Sequence, residues 1–300
     1  MLKIAYHEIY NHLLPANHRF PMEKYDLLPQ QLLHEGTCIK DNFFEPEIPN
    51  HKYFFSVHNP EYFYNLLNIT LSKSAERKIG FPLTEQLIAR EMIIADGTMK
   101  ASEFALQYGI AMNIAGGTHH AFTNRGEGFC MLNDQAIGAK YLQQKGLVNK
   151  VLIVDLDVHQ GNGTAEIFQD DSSVFTFSMH GKNNYPFQKE QSDLDIALEN
   201  ETTDSEYLSI LKEILPKLIT TEKPDFIFYQ CGVDILESDK LGKLSLSVEG
   251  CAARDRFVLQ TCYNTKIPVM CSMGGGYSKD INIIVNAHAN TFRLAQEIFF

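Results

Sequence analysis

The chain has 300 residues, 44% hydrophobic and 21% charged. That composition supports one large globular domain, 1–300, and excludes a disordered chain. A net charge of −11 argues against direct nucleic acid binding, because phosphate recognition needs Lys and Arg. The same charge suits a cationic substrate such as a lysine peptide or a polyamine, although acidic surfaces also serve solubility alone.

No apolar run reaches the roughly 20 residues that cross a bilayer. The start MLKIAYHEIYNHLLP lacks the long apolar stretch of a signal peptide. No membrane contact and a cytoplasmic location are therefore expected. Six cysteines (38, 130, 231, 251, 262 and 271) include no CxxC pair, so reduced thiols are expected rather than disulfides or a Cys-based zinc site.

In chain order, the apolar runs at 2–6, 110–115, 151–156, 174–179, 225–230 and 267–272 read as strands. They are continuous rather than alternating, as expected for parallel strands covered on both faces. HRFPMEKYDLL reads as a helix broken near Pro29. Longer amphipathic stretches at 84–108, 132–145, 204–220, 247–263 and 280–298 read as helices, the first capped by Thr84 and the third by Asp204. Strand–helix alternation of this kind predicts an α/β fold with a parallel sheet and helices on both faces.

Polar residues cluster just after these strands. His119 and His120 follow 110–115. Asp155, Asp157 and His159 end 151–156, Ser178 ends 174–179, Asp234 follows 225–230, and Gly274–Tyr277 follow 267–272. Five strands thus deliver chemistry to one C-terminal edge, where open α/β sheets bind ligands. Asp157 and His159 are two apart, so extended chain projects them to one side. With Asp234 they form a three-ligand set suited to zinc or another first-row divalent ion. A lone Asp-x-His more often belongs to a self-satisfied loop; the neighbouring motifs tip the balance to a metal site.

In GGTHHA, two glycines allow a tight turn that aims both histidines at a cleft, where one can serve as general base. In MGGGY, Tyr277 can donate to an oxyanion. Gly128 and Phe129 in GEGFCMLND, with Tyr185, offer aromatic walls. Six other histidines, at 7, 12, 34, 51, 58 and 288, are expected to be satisfied structural rings.

GGTHHA, GFCMLND, VDLDVHQGNGT, CGVD at 231–234 and MGGGY stand in the order found in histone deacetylases and their bacterial relatives, and NHRFPMEKYDLL resembles that family's opening segment. The resemblance spans nearly the whole chain. It implies the arginase/deacetylase fold, a three-layer α/β/α domain with a mostly parallel sheet of about eight strands. It implies Asp157, His159 and Asp234 as ligands of Zn2+, with Fe2+ as the alternative, and His119, His120 and Tyr277 as catalytic residues. It also implies a tunnel lined by Gly128, Phe129, Tyr185 and Gly275. Asp155 and Ser178 match positions that hold a structural K+, with the carbonyls of Asp157, His159 and Met179. One departure stands out: Asn162 occupies the place of an aspartate behind His120, as in class II and IV enzymes. It supports the basicity of His120 less than a carboxylate would.

The dinuclear arginase branch is excluded, because Gly161 and Gly232 stand where its extra metal carboxylates belong. The implied activity is zinc-dependent hydrolysis of N-acetyl or other N-acyl amides of lysine side chains, on acetylated peptides, proteins or small acylated amines. An acetylpolyamine amidohydrolase, a longer-chain deacylase and a non-catalytic acyl-lysine binder are the alternatives. Oligomeric state is not legible in the sequence.

Overall fold

The structure, a computed structural model, describes residues 1–16 and 18–300. Asn17, which opens the NHRFPMEKYDLL segment, lies outside the described residues. Eight strands form among the described residues: β1 (Lys3–Ala5), β2 (Phe43–Phe44), β3 (Ile110–Asn113), β4 (Val151–Asp155), β5 (Val174–Gly181), β6 (Leu194–Leu198), β7 (Phe226–Gln230) and β8 (Val269–Ser272). They make one sheet in the order β2-β1-β3-β8-β7-β4-β5-β6, and every neighbouring pair is parallel. The central strands β3, β4, β7 and β8 are buried at every residue, which is why their sequences are unbroken apolar runs.

Nine helices are seen among the described residues: α1 (Lys24–His34), α2 (Pro60–Leu67), α3 (Lys73–Ile79), α4 (Glu85–Tyr108), α5 (Asp134–Gln144), α6 (Asn162–Phe168), α7 (Asp204–Glu222), α8 (Val248–Thr265) and α9 (Ile281–Phe299). α4 packs on α5 and on β1, β3 and β8, while α1, α9, α8 and α7 form a successive series of contacts. Among the described residues no helix is long and apolar enough to cross a membrane. All six cysteines are free and buried.

The structure differs from the sequence reading in several places. α1 does not break at Pro29; it runs through to His34 with Pro29 buried beside Tyr25, Leu28 and Leu32. Packing of this face near α9 offsets the one hydrogen bond that proline removes. α7 is capped by Thr203, not Asp204: Thr203 is extended (φ −87°, ψ 170°) and its N–H donates to Glu206 at 2.9 Å. Asp204 instead accepts from the N–H (2.8 Å) and hydroxyl (2.6 Å) of Ser247, the cap of α8. Strands β2 and β6 escaped prediction. The first has two residues, and the second is a half-exposed edge strand whose Asp195 interrupts the apolar run.

Arg254 on α8 fixes the sheet edge that matters. Wholly buried and paired with Asp255 (2.8 Å), its guanidinium donates to the carbonyls of Leu156 (3.1 Å) and Gly232 (2.7 Å). These carbonyls lie just past β4 and β7, so one charged group ties together the two loops that carry Asp157 and Asp234.

Candidate active site

The five strands that precede the polar motifs are consecutive neighbours in the sheet, in the order β3-β8-β7-β4-β5. Their C-terminal loops therefore meet. Asp157, His159 and Asp234 come together, each buried, with one ligating atom from each lying within 4.8 Å of the others. His159 Nδ1 stands 3.0 Å from Asp157 Oδ1 and 3.0 Å from Asp234 Oδ2. The other carboxylate oxygens are held by backbone: Val158 N–H donates to Asp234 Oδ1 at 2.9 Å and Gly275 N–H to Asp157 Oδ2 at 2.7 Å. Gly275, expected among the tunnel residues, thus borders the cavity and also fixes a carboxylate. A side chain there, or at Gly232, would collide with these carboxylates.

The electrostatics of this cluster draw in positive charge. Burial alone would depress His159, yet its hydrogen bonds and charge interactions with Asp157 and Asp234 carry it up to about 10. Asp234 is also raised, up to about 7, because it is buried and lies beside Asp157. Two buried carboxylates this close need a cation between them, either a proton or a metal ion.

The histidine pair sits alongside. His119 Nδ1 is 2.7 Å from Asp155 Oδ2, and His120 Nδ1 is 2.6 Å from Asn162 Oδ1, the partner expected behind it. Asn162 passes on to a residue the sequence reading missed: its amide donates to Glu127 Oε1 at 2.7 Å. A carboxylate only accepts, so the Asn162 oxygen faces His120 and must accept from an Nδ1–H. His120 Nε2 is therefore the lone-pair nitrogen. Burial first, then the neighbouring His119 and His159, hold His120 well below the ordinary imidazole range. For His119, burial is outweighed by Asp155 and Asp157, and its pKa rises.

The histidine turn is built by Asp134, another residue not singled out from sequence. Its carboxylate accepts from Gly117 N–H (2.8 Å), Thr118 N–H (2.8 Å), Thr118 Oγ1 (2.7 Å), Thr98 Oγ1 (2.7 Å) and Ser272 Oγ (3.1 Å). The Asn-Asp pair at the start of α5 was the available signal, read there only as part of a motif.

Tyr277 is nearly buried. Burial and the charges of Asp234 and Asp157 push its phenol well above 10, so it remains a donor. Asp239, also missed, anchors it by accepting from Tyr277 N–H at 2.6 Å. Lys24 is fully buried behind the glycine loop, donating to Gly274 O at 3.2 Å. Burial lowers it to about 8, with Asp234, Asp157 and Asp239 opposing that shift.

Phe129 and Tyr185 flank the approach: Tyr185 meets His120 edge-on at 4.9 Å between centroids, and Phe129 lies 6.2 Å from Tyr277. Gly128 and Phe129 both have positive φ (56° and 69°), and their N–H groups donate to Lys78 O and Ile79 O at the end of α3. That strained turn lets Gly128 approach His120, where a Cβ would come to 2.7 Å of the ring.

Ser178 pairs with Asp155 in register, and its hydroxyl lies 2.9 Å from His180 Nδ1. Of the histidines expected to be structural, His58 fits: it bonds Phe122 O (2.9 Å) and accepts from Asn133 N–H (3.0 Å). His288 does not. Both of its nitrogens are buried without a hydrogen-bond partner among the described residues, beneath Gly276. Burial, with Lys24 and Arg254 next, holds that ring neutral.

Carboxylates, imidazoles and a phenol converge on a small cavity of ≈ 40 Å³ at the end of a parallel sheet, the arrangement of a candidate active site. The Histone deacetylase domain family matches residues 18–292, and the chain belongs to the histone deacetylase family of hydrolases. It is 44% identical over 296 residues to an uncharacterized protein of Picosynechococcus, covering 99% of each. It is 33% identical over 207 residues to histone deacetylase 2 of Arabidopsis thaliana, covering 68% of this chain and 51% of the plant protein, about half its length. A crystal structure of an HDAC homologue complexed with SAHA superposes with a TM-score of 0.86 at 24% identity, over 99% of this chain and 84% of that one. The HDAC homologue from Aquifex aeolicus gives 0.84 at 24% identity, over 98% and 84%. At that identity the two structures establish the shared fold, an eight-stranded parallel sheet with its helices.

Proposed function

We propose that the protein is a metal-dependent deacetylase that hydrolyses N-acyl amides of lysine side chains, with one divalent cation, zinc or iron, held by Asp157, His159 and Asp234. The observation that carries this reading is the buried carboxylate–imidazole–carboxylate set, with backbone N–H groups on its remaining oxygens and a lone-pair nitrogen and a phenol facing the same cavity. Two carboxylates and one imidazole fit such a cation in number and in chemistry. Gly161 and Gly232 leave no room for carboxylates of a second metal: a Cβ at either glycine would collide with Asp155 or Asp157.

When bound, the cation supplies Lewis-acid polarisation of the amide carbonyl and acidifies a water molecule. His120 Nε2 takes one proton from the attacking water. Tyr277 Oη donates to the oxygen that gains charge as the carbon becomes tetrahedral. His120 then returns its proton to the departing amine nitrogen, so the C–N bond breaks to give the carboxylic acid and free amine, and the acid's proton passes to the amine to leave carboxylate and ammonium. His119, bonded to Asp155 and with its pKa raised by Asp155 and Asp157, stands beside His120 and assists at the same oxygen. Phe129 and Tyr185 flank the lysine stem and exclude water. Asp155 and Ser178, with the carbonyls of Asp157, His159 and Met179, are the proposed K+ site beside the metal.

A panel of acetyl-lysine peptides, longer acyl-lysines and acetylpolyamines, run with and without chelator, tests this. Expected is chelator-sensitive release of carboxylate from at least the acetyl-lysine peptides. Ligand binding without any release would instead identify a non-catalytic acyl-lysine binder.

A further inference from the structure

Outside the inner cavity lies a wider mouth of ≈ 290 Å³, and its charge is opposite to that of the chain as a whole. The sequence carries 37 acidic against 26 basic residues, so an arbitrary patch of surface should be net acidic. The mouth is lined by Arg19, Lys78 and Lys243 and by no carboxylate. The three cations come from separate parts of the chain: the segment before α1, the last turn of α3 and the loop after Asp234. All three are exposed, and none is in an ion pair among the described residues.

Each cation keeps its charge available. Arg19 rests on Phe129 with its guanidinium carbon 4.8 Å from the ring centroid, a contact that leaves its N–H groups unspent. Lys243 donates one bond to Asn183 O at 3.0 Å. Two carboxylates of the surrounding loops are committed elsewhere. Glu127 accepts from Asn162 and lies 3.9 Å from Arg125. Asp239 accepts from the N–H groups of Leu241, Gly242 and Tyr277. Phe187, 88% exposed, adds an apolar contact beside the cations.

We infer that this rim selects acyl-lysines set among acidic side chains and disfavours basic peptides and polyamines. The inference rests on the deacetylase reading and names its substrate class. It also reverses the expectation drawn from net charge, because a substrate meets the field at the mouth, not the average over the surface. Exposed charges act weakly one at a time, but three around one opening steer encounter and rank partners in a salt-dependent way.

The test uses the metal-loaded full chain and three peptides, each with one acetyl-lysine, flanked by Glu, by neutral residues or by Lys. At low salt kcat/KM should favour the Glu peptide over the Lys peptide by about 10-fold or more, and the ratio should shrink with added salt. In Lys78→Glu/Lys243→Glu the ratio within the variant should fall to one or invert. Equal kcat/KM for all three peptides, or a preference for Lys flanks, overturns this inference and leaves the deacetylase reading standing. Cleavage of none overturns both.

Discussion

His120→Ala is expected to lower kcat by about 100- to 10,000-fold, the range that a positioned general acid–base contributes, while the metal stays bound. Its environment argues for the large effect. Asn162 fixes the ring so that Nε2 carries the lone pair, and burial holds the imidazole neutral well below its ordinary range. A base works only while deprotonated, so a lowered pKa places the acid limb of the kcat profile below pH 6.5 and keeps activity on its neutral side. Steady-state kinetics across pH, with metal content measured in parallel, checks both points. A variant with near-normal turnover, or with the same acid limb, would remove His120 from the role. His119 differs in its partner: its Nδ1 faces the Asp155 carboxylate, and Asp155 and Asp157 raise its pKa against burial, the opposite direction from His120.

Tyr277→Phe is expected to cost about 100- to 1000-fold in kcat, roughly 2.7–4 kcal/mol, as for loss of one oxyanion donor. KM should change far less, since the phenol is called on chiefly as charge develops. The phenol is suited to donate because burial and the nearby carboxylates keep it protonated, and Asp239 pins its backbone. The substitution removes one oxygen and preserves the ring that packs near Phe20 and Phe129. Kinetics and thermal unfolding together separate a chemical loss from a folding defect. Full activity would show that the carbonyl oxygen needs no donor from this side.

These two residues were legible in the sequence because each follows a continuous apolar run, and parallel strands align their C-terminal ends. The same logic located Asp155, Asp157, His159, Ser178 and Asp234. What it could not reach was the set of groups that act through other residues. Glu127 matters only because Asn162 lies 35 positions away and folds back on it; Asp134 matters because it gathers the backbone of a turn 16 to 17 residues earlier. Asp239, Lys24 and Arg254 likewise work through backbone atoms that no spacing rule links to them. The fold errors have local causes. Pro29 was read by propensity, which the packing of α1 overrides, and β6 was hidden by the polar residue of an edge strand. The basic rim was not legible for a related reason: composition averages over a surface, whereas the rim gathers a few side chains from distant segments.

The central claim is a single catalytic cation on three named ligands. The most direct test is metal content set against turnover, comparing wild type with Asp157→Ala and Asp234→Ala after reloading with zinc or iron. One zinc or iron ion per wild-type chain, little or none in either variant, and turnover of an acetyl-lysine peptide rising in proportion to occupancy are the expected results. Two zinc or iron ions per chain at saturation, or full turnover from protein free of both, would contradict the account.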